Sequence, residues 1–242
     1  RRVLLFDVNN EFQQFKAISL RNVKAWSDRG RIEVRRISIF KAVDDMALQV
    51  NGKPVYNTTS GKMTLNEMAN ALYYILNSYH DGLLLIEDIN KYVSDSLPND
   101  LMGAIVTQRH IGVDIIIHFQ TIGKYGHPKI VGNANYLRFH KVSDKVARHE
   151  NKFQDYTEPL QIIENLVDRK FKNAVTKDEK SFHCYWDADD LKIKGNFTKD
   201  DFIEAINDYL SENYNSIVKP KINQVELKSG KKKYESREDL ID

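Results

Sequence analysis

The sequence has a single cysteine, Cys184, among 242 residues. One thiol excludes an internal disulfide framework and a cysteine-based zinc site, and it fits a reducing compartment. Long hydrophobic runs are missing as well, because no apolar stretch approaches the roughly 18–20 residues that a membrane-spanning helix needs. We therefore expect a cytoplasmic protein.

The chain also lacks a bulk charge of either sign. Its 36 Lys and Arg residues nearly balance 34 Asp and Glu residues, so the formal net charge is +2. Any contact with nucleic acid must therefore come from a local basic patch. The length allows one large α/β domain or a domain with a small appendage.

Short apolar runs alternate with helical patterns along the first part of the chain. Five runs predict strands, at residues 3–6, 32–40, 83–86, 111–120 and 136–140. Thr64 and Glu67 form a capping-box pattern that predicts a helix over 64–79, and a second helix is predicted at 98–109. Near-continuous apolar strands separated by helices predict an α/β fold, with a mostly parallel sheet covered by helices on both faces.

Two stretches depart from this regular alternation. Arg35 and Arg36 interrupt the apolar pattern of their strand, which predicts an edge or one-sided strand. Residues 51–63 are rich in turn formers and predict a loop or a hairpin.

The composition changes after about residue 142, and we predict three segments from it. A core domain occupies residues 1–145, a smaller and mainly helical C-terminal extension occupies 146–218, and a charged tail or linker occupies 219–242. Within the extension the patterns predict helices at 144–154, 158–171 and 198–214 and a strand at 181–187. The chain opens RRVLLFD, without an initiator Met and already with a strand pattern. We expect the natural N-terminus to lie upstream.

Polar residues follow three of the predicted strands. Asp7 and Glu11 follow the first, Glu87 and Asp88 follow the run Leu83–Ile86, and Gln120 with Thr121 ends the fourth. In a parallel sheet, functional groups gather just outside the carboxyl ends of the strands. The three polar strand ends together predict a site there, although each one alone fits a solvated strand terminus equally well.

The adjacent acids Glu87 and Asp88 suit nucleotide hydrolysis, which needs one carboxylate near Mg²⁺ and another to activate water. A neutral amide such as Gln120 binds a phosphate or the attacking water without adding negative charge. Arg109, at the end of a predicted helix, and Arg138, in the sequence YLRFH, are candidates for an arginine finger on a neighbouring subunit. Surface arginines are common, so the alternative for both is a solvated side chain.

The seven histidines show no metal-ligand spacing. We expect His118 and His140 to be packed or surface residues. The stretch Ser60–Thr64, SGKMT, resembles a phosphate-binding loop, but Met follows the lysine and Tyr56 stands where the first glycine belongs. The sequence therefore contains no Walker A motif.

These segments together resemble the FtsK–HerA superfamily of P-loop ATPases, in particular HerA-type translocases and the Zot-like and packaging ATPases of bacteriophages. FDVNNEF (6–12) is similar to the family's strand-end pattern, LLLIED (83–88) to its Walker B strand, and TQRHIGVDIIIHFQT (107–121) to its glutamine-sensor strand. The resemblance covers about residues 1–145. It implies a RecA-like P-loop NTPase core whose P-loop strand and helix lie before Arg1.

The resemblance further implies an ATP- and Mg²⁺-dependent motor that moves or packages DNA as a ring, usually a hexamer, in a bacterial or phage-infected cell. Glu87 would hold Mg²⁺, and Asp7 and Glu87 would be the cofactor-binding acids. Asp88 would be the general base, with Glu11 as the alternative. The acids stand in the order Glu-Asp where the family usually has Asp-Glu, so their division of roles stays open.

On the same resemblance, Gln120 would sense the γ-phosphate, and Arg109 or Arg138 would act in trans. We expect residues 1–242 by themselves to be inactive, because the backbone cradle and lysine for the phosphates are absent. Two alternatives remain. One is a non-catalytic scaffold with a degenerate P-loop-like fold, and the other is a Zot-like phage export ATPase.

Overall fold

The computed structural model describes residues 1–93, 99–123, 128–222 and 236. The chain divides into two compact units, Arg1–Asn133 and Ala134–Asp242. This division lies before the domain boundary that the sequence predicted after residue 145. It differs because the strand at 136–140 pairs within the second unit.

The first unit contains the predicted parallel sheet. The strands of the first unit are β1 Arg2–Asp7, β2 Val34–Ser38, β3 Gln49–Val50, β4 Lys53–Pro54, β5 Gly82–Ile86 and β6 Val113–Ile117. Its helices are α1 Val23–Asp28, α2 Leu65–Ser78, α3 Asn99–Thr107 and α4 Pro128–Val131. Among the described residues, β2, β1, β5 and β6 pair in that order, all in parallel. The predicted α/β fold class is confirmed, and β2 lies at an edge as its two arginines indicated.

The central strands β1 and β5 form the middle of the core. Leu4 pairs with Leu84 and Phe6 with Ile86, and all four side chains are fully buried. Strands without polar interruptions bury both faces of a sheet, which is typical of parallel pairing. Their common direction brings the carboxyl ends of β1, β5 and β6 to the same end of the sheet.

Local signals account for α2 and for the hairpin before it. Thr64 caps the helix by accepting a hydrogen bond from Glu67 N, and the Glu67 carboxylate accepts one from Thr64 N, which completes the predicted capping box. The strands β3 and β4 are joined by Asn51 and Gly52, with φ angles of 51° and 72°. Positive φ at both turn residues is the geometry that Asn-Gly favours in two-residue hairpins.

The second unit combines helices with an antiparallel sheet. Its strands are β7 Tyr136–His140, β8 His183–Asp187 and β9 Lys192–Gly195, paired in that order. Its helices are α5 Glu150–Phe153, α6 Thr157–Asn173, α7 Lys177–Lys180, α8 Lys199–Glu212 and α9 Lys219–Ile222. Most of the remaining predicted tail lies outside the described residues.

The sequence placed residues 136–140 as a further strand of the parallel sheet, and this was wrong. β7 pairs antiparallel with β8, with Leu137 opposite Trp186 and Phe139 opposite Cys184. Along β7 exposed and buried residues alternate, which is typical of a sheet with one solvated face. β9 was missed altogether, because three of its four residues are lysine or glycine and carry no apolar pattern. No helix in the described part of the chain is long and apolar enough to span a membrane.

Candidate functional site

The carboxyl ends of β1, β5 and β6 bring together polar side chains that are far apart in the sequence. Ile86 pairs with Phe6 on one side and with Ile117 on the other, so the residues that follow these three strands are neighbours. Asp88 is the centre of the cluster. Asn9 Nδ2 lies 2.6 Å from Asp88 Oδ2, and Gln120 Nε2 lies 2.7 Å from the same oxygen.

The backbone at Asp88 adopts a left-handed conformation, with φ 41° and ψ 47°. A non-glycine residue in this region costs on the order of 1–3 kcal/mol and persists only when its surroundings hold it. Two amide side chains from the flanking strand ends provide that support here. Such conformations concentrate at functional sites, because the orientation of one side chain there outweighs the cost in folding free energy.

Glu87 is almost completely buried beside Asp88, with an exposed fraction of 8%. Burial raises the pKa of its carboxyl above the ordinary value, and the nearby acids Asp88, Glu11 and Asp7 raise it further, while His118 acts in the opposite direction. His118 Nδ1 lies 3.8 Å from Glu87 Oε1 and 3.5 Å from Asp88 Oδ1. A buried acid with a raised pKa at a strand end is a common feature of catalytic sites.

Asp7 is fully buried and organises the loop that follows β1. Its carboxylate accepts backbone hydrogen bonds from Glu11 N at 2.9 Å and Phe12 N at 3.1 Å. Arg36 Nη1 lies 3.2 Å from the same carboxylate and 2.9 Å from Asn10 Oδ1. These contacts occupy much of the hydrogen-bonding capacity of Asp7, so its role as a cofactor ligand stays a prediction. Glu11 itself has an exposed side chain in this loop.

The two candidate arginine fingers belong to elements other than β1, β5 and β6. Arg109 lies in the short 3-10 helix Gln108–Ile111 after α3. Its side chain is outside the described residues. Arg138 belongs to β7 in the second unit, where its guanidinium lies 5.6 Å from the centre of the Tyr185 ring and 3.2 Å from His183 Nδ1. Their action in trans stays a prediction.

Three residues of the cluster were not predicted. Asn9 contacts Asp88, Arg36 contacts Asp7, and His118, which we expected to be packed or a surface residue, contacts both central acids. A signal for His118 was present, because it stands two residues before Gln120 and side chains two apart in an extended chain point to the same side. Asn9 lies within the quoted FDVNNEF motif.

The acid pair fits a magnesium ion bound together with a phosphate compound. Among the described residues no group of three or more His, Cys, Asp or Glu side chains is arranged to hold a metal ion. Mg²⁺ usually takes only one or two protein carboxylates and completes its octahedron with water and phosphate oxygens. Glu87 and Asp88 offer that number of carboxylates at the carboxyl end of β5.

Comparisons with protein-family models and with curated proteins found no match. Among solved structures, the chain is similar to the genome packaging NTPase B204 from Sulfolobus turreted icosahedral virus 2. In the complex with AMPPCP the identity is 15% and the TM-score 0.45, covering 79% of this chain and 80% of that chain. For B204, the DNA-packaging ATPase from Sulfolobus turreted icosahedral virus, the values are 10%, 0.44, 79% and 80%.

Proposed function

We propose that this chain is the core of an ATP-dependent DNA translocase or genome-packaging motor. The observation that carries the proposal is the strained Asp88 beside the buried Glu87, held by amides from the two flanking strand ends. Three adjacent parallel strands thus contribute two acids and two neutral amides to one small volume. That combination suits phosphoryl transfer to water, in which positioning and electrostatics provide most of the catalysis.

Each residue of the cluster has a proposed role. Asp88 accepts a proton from the attacking water, and Gln120 orients that water or a phosphate oxygen while fixing the Asp88 carboxylate. Glu87 holds Mg²⁺, which when bound neutralises charge on the phosphates. Glu11 is the alternative base, since its charge acts on Glu87 and its side chain is exposed.

The outer edge of β6 offers a position for the phosphate-binding element that the sequence lacks. Gly82 N donates to Gly112 O and His118 N donates to Ile86 O, so the backbone groups of alternate residues face β5. The backbone N–H and C=O groups of the residues in between point away from β5, and no described strand pairs with them. These residues are Val113, Ile115 and Ile117. A parallel strand added there would end beside Gln120. We propose that a P-loop strand pairs with β6 at this position.

ATP hydrolysis by the full-length protein tests the proposal directly. We expect activity that DNA stimulates, and a loss of about 100-fold or more in kcat for Asp88→Asn if Asp88 is the base. Glu87→Gln should raise the Mg²⁺ concentration required for half-maximal rate. Asp200→Asn, which removes an exposed carboxylate from α8, is the matched control and should leave both values unchanged.

Other outcomes select among the alternatives. If Glu11→Gln abolishes turnover and Asp88→Asn does not, Glu11 is the base. Hydrolysis that DNA never stimulates would favour the export ATPase. If the intact protein hydrolyses no ATP with or without DNA, the motor proposal is wrong and the scaffold remains.

We also propose assembly into a ring in which Arg109 or Arg138 completes the site of a neighbouring subunit. Mixing an Arg→Ala subunit with an Asp88→Asn subunit tests this. A finger acting in trans restores part of the activity, because some interfaces then combine one intact acid site with one intact arginine. Mixed rings without any recovery would contradict the assignment for that arginine.

A further inference from the structure

The segment from residue 16 to residue 36 concentrates the positive charge of the protein. It contains seven basic residues and two acidic ones, for a formal charge of +5. The whole chain carries +2, so the remaining residues together carry −3. The basic residues are Lys16, Arg21, Lys24, Arg29, Arg31, Arg35 and Arg36. This is the kind of local basic patch that a nearly neutral protein needs for binding a polyanion.

Part of this segment encloses a cleft of about 420 Å³. α1 and the residues before it form one wall, and the chain from Arg29 into β2 forms the other. The polar and charged lining residues are Ser19, Asn22, Arg29, Arg31, Glu33 and Arg35. Arg36, the neighbour of Arg35 on β2, instead binds Asp7 at the acid cluster. The cleft is therefore separate from the proposed ATPase site.

The positive charge of the cleft is not balanced by Glu33, the acid in its lining. Glu33 is paired with Arg35 at 2.9 Å and accepts a further hydrogen bond from Trp26 Nε1. Within the described part of the chain, neither Arg29 nor Arg31 lies within ion-pair distance of a carboxylate, and both side chains are exposed. Three arginines and one glutamate thus give the lining of the cleft a net charge of +2, and Arg31 acts on Glu33 only from beyond ion-pair distance.

Arg35 adds a second observation that indicates a ligand. Its Nε is buried and has no hydrogen-bond acceptor among the described residues. The guanidinium of Arg35 therefore has donor capacity that its contacts with the protein do not use. Arginine also suits one class of anion in particular, because its planar fork donates two parallel hydrogen bonds to the oxygens of a phosphate.

We propose that this cleft binds the phosphate groups of a nucleic-acid backbone. A polynucleotide strand lies along a groove, whereas a membrane surface presents its phosphates to a flat or convex face. Successive phosphates would contact Arg29 and Arg31, and the exposed Arg21 and Lys24 on the adjoining turns would extend the track. The inference rests on the proposed function only in the choice of DNA as the probe.

Fluorescence anisotropy of a labelled DNA duplex of about 30 base pairs, measured without nucleotide from about 50 to 200 mM salt, tests the inference. We expect Arg29→Gln/Arg31→Gln in the full-length protein to weaken binding about tenfold or more and to lower the salt slope by about 2, one for each lost phosphate contact. Lys177→Gln/Lys192→Gln removes two exposed charges from the second unit and is the matched control. It should change neither quantity.

Unchanged affinity and salt slope in the arginine variant would overturn the inference. So would binding of the wild type to phosphatidylserine-rich vesicles but not to DNA, since the cleft would then serve a membrane. The variant keeps the acid cluster, so its ATP hydrolysis without DNA should equal that of the wild type. If the wild type never hydrolyses ATP but the arginine variant loses DNA binding, the result would support phosphate binding by the cleft. It would reject only the proposed motor function.

Discussion

Among single residues, Glu87 combines burial with a scarcity of compensating contacts. Its carboxyl lies next to Asp88, and Glu11 and Asp7 add negative charge nearby, while His118 opposes them. The folded protein therefore holds the ionised form of Glu87 less well than the unfolded chain does. A residue that lowers stability in this way is typical of a functional site. Removing its charge should therefore make the fold more stable.

We predict that Glu87→Gln raises the free energy of unfolding by about 0.5–2 kcal/mol at pH 7. The gain should shrink as the pH falls through the raised pKa of the folded state, and vanish below the ordinary value of 4.5, where the carboxyl is protonated in both states. Urea denaturation of both proteins across this pH range measures the difference.

Glu11→Gln is the control for that experiment, because its side chain is exposed and its removal should change stability by less than about 0.5 kcal/mol. A Glu87→Gln protein that is less stable than the wild type at pH 7 would show that the ionised carboxylate is well satisfied in the fold. Burial would then not destabilise the ionised form of Glu87.

At the scale of elements, α2 is tied to the loop before it through one buried carboxylate. Glu67 accepts hydrogen bonds from Lys41 Nζ at 2.8 Å, from Asn57 N at 2.6 Å and from Thr58 N at 2.8 Å, in addition to Thr64 N. Burial alone would raise the pKa of Glu67, but Lys41 and the backbone donors outweigh it and lower the pKa to about 2. The carboxylate that completes the capping box thus also fixes the backbone of the preceding loop.

We predict that Glu67→Gln destabilises the first unit by about 3–5 kcal/mol, because it leaves the buried Lys41 ammonium without a counter-charge. The difference from the wild type should be constant above pH 4.5, the ordinary pKa, and decline as the pH falls towards 2, since an acid with a lowered pKa stabilises the fold only while it is ionised. Denaturant titrations at several pH values measure both effects.

Two further variants separate the ion pair from the helix cap. Lys41→Met added to Glu67→Gln should recover part of the loss, because no unpaired charge remains buried. Glu179→Gln removes the acid from the exposed capping box Thr176–Glu179 and should cost about 1 kcal/mol or less. Equal losses in Glu67→Gln and Glu179→Gln would mean that Lys41 contributes nothing.

For the whole molecule, the single cysteine offers a reporter of unfolding. Cys184 lies on β8 with no exposed surface, and burial raises the pKa of its thiol to about 12. Because the thiolate is the reactive form, both access and ionisation protect it in the folded state. Modification should then require opening of the second unit.

We predict that a thiol reagent at pH 8 modifies native Cys184 about a thousandfold or more slowly than it modifies the chain in urea. Val175→Cys places a second thiol at a position that is 89% exposed in the same unit, and this thiol should react at once. Rapid modification of Cys184 without denaturant would show that β8 is accessible in the native protein.

The sequence alone determined those features that depend on neighbouring residues. The capping box Thr64–Glu67 acts within four residues and appeared as predicted. The turn Asn51–Gly52 opens the stretch 51–63, for which a loop or a hairpin was predicted. The apolar runs of β1 and β5 likewise identified buried parallel strands. Such signals are local because propensity, capping and periodicity are set within a few turns or one strand.

Only the tertiary structure decided which distant residues meet. The partner of β7 proved to be β8, nearly fifty residues away, because alternation specifies a strand but not its neighbour. The contacts of Asn9 and Gln120 with Asp88 join three strand ends, and the charge of segment 16–36 became a cleft only when α1 and β2 folded around it. Pairings across such separations depend on the packing of the whole chain, so no local pattern carries them.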